Sequence, residues 1–166
     1  MDATATPTEA GILADAVRAA NAEVTEFVEG CAPGAWKHTT AEEGWSLSMA
    51  AAHIAIAHMA MTQWVHRVAS GQDIMDTPTE WEVLNASDAR YNSDLSRSEV
   101  VERLRVYGGA LEHYVRNLSL DQLNASAMWL GRSWTTAEVV RDIAIGHARG
   151  HLEHILAAAR EATRWQ

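Results

Sequence analysis

Helix start signals are the feature of this sequence that most restricts its fold. At four predicted helix starts a Thr or Ser is followed three residues later by Glu, namely residues 6–9, 77–80, 96–99 and 135–138. This spacing is typical of a capped first helical turn, and Pro in the second position of the first two copies suits the start of a helix. Apolar residues at helical spacing follow, which predicts helices over about residues 7–30, from Pro78 to Tyr91, from Ser96, and from Thr135 to about Arg164.

A fifth helix is predicted from an unusual lack of acidic residues. Between Gly44 and Ser70 the chain contains neither Asp nor Glu. Ser46 or Ser48 is the expected N-cap of a helix over this stretch. A helix this apolar is predicted to be buried on most of its sides.

The predicted elements favour an all-α fold. No alternation of apolar and polar residues is long enough to predict a strand. Four long helices, with the helical piece from Pro78 filling the long connection between the second and third, indicate a four-helix bundle with a crossover. The length of 166 residues suits one domain over residues 1–166.

Composition excludes several classes of function. The formal net charge of −9 disfavours nucleic acid and anionic membranes as partners, since both attract clustered Lys and Arg. No stretch is apolar enough to span a bilayer and no signal-peptide pattern is present, so a cytoplasmic location is expected. Cys31 is the only cysteine and is predicted to pack as a small apolar residue. A bias towards Arg over Lys suggests a GC-rich bacterial source.

Three histidines form the candidate metal site. His147 and His151 are four residues apart in the apolar stripe of the last helix, a spacing at which two imidazoles can bind one metal ion. Ala148 replaces the Glu that a zinc-protease motif requires. His53 lies on the apolar face of the acid-free helix. A single buried histidine is ordinarily a hydrogen-bonded core residue, but three on two helices favour a metal site. His154 is interpreted as a neighbour of the site or as a surface residue, in preference to a fourth ligand.

These motifs together resemble the DinB-like superfamily of four-helix bundles. The residues that carry the resemblance are Trp45-Ser46 followed by His53, Asn85, residues 135–140, and His147, His151 and Ile155 on the final helix. The resemblance implies an up-down-down-up bundle. It also implies one divalent metal ion held by His53, His147 and His151, with Zn, Ni and Fe as suitable metals.

The resemblance also restricts the expected function. Members of that superfamily include S-transferases that use mycothiol or bacillithiol, a thiol-dependent maleylpyruvate isomerase, and hydrolases that protect toxin producers. The isomerases have an additional C-terminal domain beyond the extent of this chain, which favours transfer of a small thiol to an electrophilic small molecule. The alternatives are a metal-dependent hydrolase, a non-catalytic metal-binding stress protein, and a helical core whose histidines bind no metal.

Few other side chains are candidates for the chemistry. Glu138, Asp142 and Glu153 are predicted to point outward, so no carboxylate on the second or last long helix is expected to enter the site. Three neutral imidazoles leave coordination positions open for a reacting thiol or water. Tyr107 on the third long helix is the one proposed catalytic helper.

A homodimer is the expected assembly. The sequence has seven tryptophans, more than one small core readily buries. Trp81, Leu84 and Trp165 are therefore predicted to line a dimer surface or the mouth of a pocket. The alternative is that these residues form the periphery of the core.

Overall fold

The computed structural model describes residues 8–40 and 44–164, which are mostly helical as predicted. The helices are α1 (Glu9–Gly30), α2 (Leu47–Ala69), α3 (Pro78–Asn92), α4 (Arg97–Arg103), α5 (Gly109–Arg116), α6 (Leu120–Asn124), α7 (Thr136–Glu138) and α8 (Gly146–Arg164). Two π-helical segments join neighbouring helices: Leu104–Gly108 joins α4 to α5, and Val139–Ile145 joins α7 to α8. Two short strands, β1 (Ser126–Trp129) and β2 (Arg132–Thr135), precede α7.

Side-chain caps begin the main helices close to the predicted positions. Reciprocal capping boxes, in which Glu also accepts from the cap residue, begin α3 at Thr77, α4 at Ser96 and α7 at Thr135. Ser46, one of the two predicted candidates, caps α2. The first helix begins at Glu9 and is capped by Thr8, whereas the predicted start at residues 6–7 lies outside the described residues.

The third long helix contains a widened turn that the sequence analysis did not predict. At the π-helical segment between α4 and α5, the Asn21 side-chain amide donates a 3.1 Å hydrogen bond to the Leu104 carbonyl. Gly108 makes room for that side chain, because a Cβ there would lie 2.4 Å from Asn21 Cγ. The backbone on both sides stays right-handed helical, so α4 and α5 continue one another.

Helix α2 lies at the centre of the packing. It contacts α3, α4, α5 and α8, whereas α1 packs against α4, α5 and α8. Of its 23 residues 15 are buried, which confirms the prediction of burial on most sides. Ile54, like Leu104, Leu111 and Ile155 on the neighbouring elements, is fully buried, and each such side chain contributes about 1.5–3 kcal/mol relative to exposure.

Two further observations bear on the composition. Cys31 is buried beside α1, as predicted for a small packed residue. Although α2 is strongly apolar, none of the helices in residues 8–40 and 44–164 has the length and hydropathy needed to cross a membrane.

The expectation that the chain forms no strand was wrong. β1 and β2 pair in antiparallel register, with Ser126 opposite Thr135 and Trp129 opposite Arg132. The turn between them has positive φ at both Leu130 (50°) and Gly131 (78°), as a tight two-residue hairpin requires. Strands of four residues joined by Leu-Gly, rather than by the usual Asn-Gly, are too short and atypical to be predicted by alternation.

Candidate metal centre

Helices α2 and α8 bring the three predicted histidines together. Ring nitrogens of His53, His147 and His151 all lie within 4.8 Å of one another. His53 Nε2 is 3.1 Å from His147 Nε2. Two nitrogens at about 2.0–2.1 Å from one tetrahedral metal ion are themselves about 3.4 Å apart, so these spacings suit ligands of a single ion.

The charge state of His147 also suits a cation. His53 is buried, and His147 and His151 are partly buried. Burial, followed by the neighbouring His151 and His53 imidazoles, lowers the pKa of His147 well below its ordinary value. His147 is therefore neutral at physiological pH and has a lone pair available, which a metal ligand needs.

The π-helical segment Val139–Ile145 leads directly into this part of α8. Val139 and Val140 are both buried, and so are Ala144 and Ile145, whereas Arg141 and Asp142 between them are exposed. His147 then follows on the side of the helix that contacts α2. Widened turns of this kind occur frequently at functional sites.

Trp45 forms an aromatic wall beside the histidines. Its ring centroid lies 5.0 Å from that of His53, edge to face, and 6.3 Å from that of His151, with planes 14° apart. The Trp45 carbonyl accepts a hydrogen bond from the Thr40 backbone, and Ser46 next to it caps α2, so the local backbone is held. In the sequence Trp45 stood out only as part of a family motif, and its place at the site was not predicted.

Asp88 is a second site residue that the sequence analysis missed. It lies on α3, and its Oδ2 is 3.7 Å from Nδ1 of the buried His53. Carboxylates were considered only on the second and last long helices, where Asp142 and Glu153 are exposed and Glu138 caps α7. One available signal was the seven-residue spacing from Trp81, which places Asp88 on the same face of α3 as a residue that packs inward.

The proposed helper Tyr107 lies on the third long helix, as predicted. Tyr107 is half-buried on the π-helical segment Leu104–Gly108. Within the described residues, no hydrogen bond or ring contact joins it to His53, His147 or His151. The ring centroid of His154 lies 6.4 Å from that of His151.

The remaining histidines of α2 have other surroundings. His58 is buried on a different face of the helix, and its Nε2 lies 3.1 Å from Asn21 Oδ1. Because the amide of Asn21 donates to Leu104, its Oδ1 accepts from Nε2–H of His58. His66 is exposed, and its Nδ1 lies 2.9 Å from the Tyr114 hydroxyl.

Comparison with known proteins identifies the family. Residues 16–155 match the DinB superfamily. The chain belongs to the DinB superfamily. This membership confirms the resemblance that the sequence motifs indicated. A search of curated proteins finds no significant match.

Solved structures share the fold. A crystal structure of the mycothiol-dependent maleylpyruvate isomerase superposes with a TM-score of 0.69 at 16% identity, covering 90% of this chain and 60% of the isomerase. A histidine-to-alanine mutant of that enzyme gives the same TM-score at 15% identity with the same coverage. The chain therefore spans less than two thirds of these proteins, and at this identity the likeness shows a common fold.

Proposed function

We propose that the chain is a metal-dependent enzyme that transfers a small cellular thiol, similar to mycothiol or bacillithiol, to an electrophilic small molecule. The proposal has His53, His147 and His151 holding one divalent ion of Zn, Ni or Fe. The observation that carries it is the convergence of three ring nitrogens within 4.8 Å on two packed helices. Membership of the DinB superfamily and the thiol dependence of the solved isomerases support it.

The donor set suits a catalytic rather than a purely structural site. Three imidazole ligands are one fewer than a closed tetrahedral site uses, so a position stays open for a reactant. A divalent cation in such a site lowers the pKa of a bound thiol or water and supplies a nucleophile at neutral pH. The neutral His147 keeps its lone pair for binding, and the three fixed rings set the position at which the reactant is held.

The proposed transfer has a simple atom balance. The thiol loses its S–H proton to solvent, and its sulfur forms a bond to an electrophilic carbon. The group displaced from that carbon leaves with the bonding electrons, or, in an addition to a double bond, the neighbouring carbon takes up a proton. Trp45 shields one side of the site and offers an apolar surface to the electrophile. A role for Tyr107 in proton transfer stays a prediction, tested by the activity of Tyr107→Phe.

The proposal includes an architecture. The long helices are assigned to a four-helix bundle of up-down-down-up order, with α3 in the crossover between the second and third, forming one domain. A homodimer stays a prediction: Leu84 is 56% exposed, whereas Trp81 packs against the core and Trp165 lies outside the described residues. Light scattering that shows a monomer at high concentration would exclude it.

Metal content of the protein purified without a histidine tag tests the site. The wild-type chain is expected to contain one equivalent of a divalent transition metal. His147→Ala and His151→Ala are each expected to lose stoichiometric metal, because two imidazoles bind an ion far more weakly than three. His113→Ala is the matched control, since His113 is exposed on α5. Full occupancy in both ligand variants would exclude the site.

Consumption of a small thiol tests the reaction. Metal-loaded protein is incubated with mycothiol or bacillithiol and a panel of electrophiles that includes maleylpyruvate, the substrate named for the solved isomerases. We expect thiol-dependent turnover that His53→Ala abolishes, since misplacing a bound nucleophile costs more activity than affinity. If the protein cleaves esters or amides with water alone and consumes no thiol, the hydrolase proposal replaces the transferase proposal. Metal binding with no turnover would leave a non-catalytic metal-binding protein.

A further inference from the structure

Nδ1 of His53 is a buried polar atom beside the candidate metal centre. Within residues 8–40 and 44–164 it forms no hydrogen bond. A buried donor or acceptor in this situation is costly, and most such atoms in proteins have partners. His53 therefore needs a group beside Nδ1 that the three-histidine arrangement does not provide.

Asp88 is the group that faces this atom. Its Oδ2 lies 3.7 Å from His53 Nδ1, so shortening by about 0.5–1 Å would form a hydrogen bond. The Asp88 side chain is 24% exposed and takes part in no other ion pair among the described residues. Its carboxylate is thus free to turn towards the imidazole.

The geometry decides which nitrogen carries the proton. Nε2 of His53 points to Nε2 of His147, 3.1 Å away, and is the nitrogen directed at the metal position. A metal-binding Nε2 must be unprotonated, which leaves the single hydrogen of neutral imidazole on Nδ1. Nδ1–H can then donate only to a group on its own side of the ring, where Asp88 lies.

We infer that Asp88 is a positioning residue for His53: it accepts a hydrogen bond from Nδ1–H and so fixes the ring orientation and tautomer in which Nε2 binds the metal. The inference rests on the proposed metal site. It links α3 to the site, because Asp88 lies on α3 with its Oδ2 3.7 Å from Nδ1 of a proposed ligand. α3 itself has no fully buried residue and is held by its cap and by Trp81, which packs against Trp64 and Trp129.

Zn²⁺ affinity of Asp88 variants tests the inference. The dissociation constant is measured by competition with a chromophoric chelator for the wild-type chain, Asp88→Ala and Asp88→Asn. Glu82→Gln is the matched control, since Glu82 is an exposed carboxylate on the same helix. We expect Asp88→Ala to bind Zn²⁺ about 10–100-fold more weakly, Asp88→Asn to lose less because its amide oxygen can still accept, and Glu82→Gln to match wild type.

A spectroscopic readout separates orientation from general structural damage. In the Zn²⁺-loaded wild type, the imidazole ¹⁵N shifts of His53 should show a protonated Nδ1 and a metal-bound Nε2. Asp88→Asn should keep that pattern, whereas Asp88→Ala should show a mixture of forms with an unchanged melting temperature of the metal-free protein.

Two other outcomes would contradict the inference, and they can be distinguished from each other. If Asp88→Ala binds Zn²⁺ as tightly as Glu82→Gln, or if both weaken equally through charge alone, Asp88 does not position His53 and the metal site still stands. If the wild type binds no Zn²⁺, the proposed metal site is itself wrong, and the inference fails with it.

Discussion

Two buried histidines of α2 show how surroundings decide the role of one residue type. His53 faces two more imidazoles and a carboxylate, whereas His58 faces the amide of Asn21. Burial lowers the pKa of His58 from 6.5 to about 4. His58 is thus a neutral hydrogen-bond donor in the core, which is the usual role of a buried histidine.

This low pKa makes His58 a source of acid sensitivity. The folded protein favours neutral His58, so its contribution to stability is complete above pH 6.5 and is lost as pH falls from 6.5 towards 4. The loss is at most about 3 kcal/mol. In His58→Gln, whose amide can still donate to Asn21, we expect the free energy of unfolding to fall less between pH 7.5 and pH 5.

Urea unfolding at the two pH values, with chelator present, checks this prediction. Other titrating groups are common to both proteins, so the comparison isolates His58. An equal loss of stability in wild type and His58→Gln would mean that His58 is not the group responsible.

At the residue scale, periodicity could predict the histidines but not their neighbours. The positions of His53, His147 and His151 follow from apolar stripes on single helices, which the sequence displays directly. Asp88 and Trp45 approach the site from α3 and from a loop, and their distance depends on how separate elements pack. The spacing from Trp81 can place Asp88 on the inward face of α3, but it does not give the distance between that face and α2.

Among the elements, the π-helical segment Leu104–Gly108 depends on one glycine. A Cβ at Gly108 would lie within 2.4–2.6 Å of the Asn21 side-chain atoms. Asn21 cannot easily move away, since it bonds both the Leu104 carbonyl and His58. The widened turn, the buried amide and the buried imidazole therefore form one structural unit.

Alanine substitution at neighbouring glycines tests this unit. Gly108→Ala is expected to destabilise the protein by about 1–3 kcal/mol, because displacing Asn21 leaves buried polar groups unpaired. Gly109→Ala is the control: its backbone is helical and a Cβ there meets no atom within 4 Å, so a gain of up to about 1 kcal/mol is expected. Equal stabilities of the two variants by urea unfolding would contradict the explanation.

Element starts were more predictable than element interiors. Thr77, Ser96 and Thr135 begin helices through contacts within four residues, so the sequence contains the whole signal. The π-helical turns depend on residues far along the chain, such as Asn21 beneath Gly108. The hairpin also depends on a distant residue, since Trp129 packs against Trp64 on α2.

In the whole molecule, the core and the candidate metal site are largely separate sources of stability. Fully buried Val24, Leu47 and Leu111 lie on α1, α2 and α5, so apolar packing joins the helices without a metal ion. The net charge of −9 attracts cations to the molecule without specifying where they bind. A small zinc finger differs, since it has too little core to fold without its ion.

Chelation should therefore lower the melting temperature without unfolding the protein at 25 °C. A ligand that binds only the folded state stabilises it by about 2.7 kcal/mol at one hundred times its dissociation constant. For a chain of this size such a free energy corresponds to about 5–10 °C in melting temperature. We expect that decrease on adding a strong chelator, with the helical circular dichroism signal retained.

His151→Ala, which lacks one proposed ligand, should start near the lower temperature and should not respond to the chelator. Loss of the helical signal on chelation would mean that the metal holds the fold together, and an equal response in His151→Ala would mean that the stabilising ion binds elsewhere.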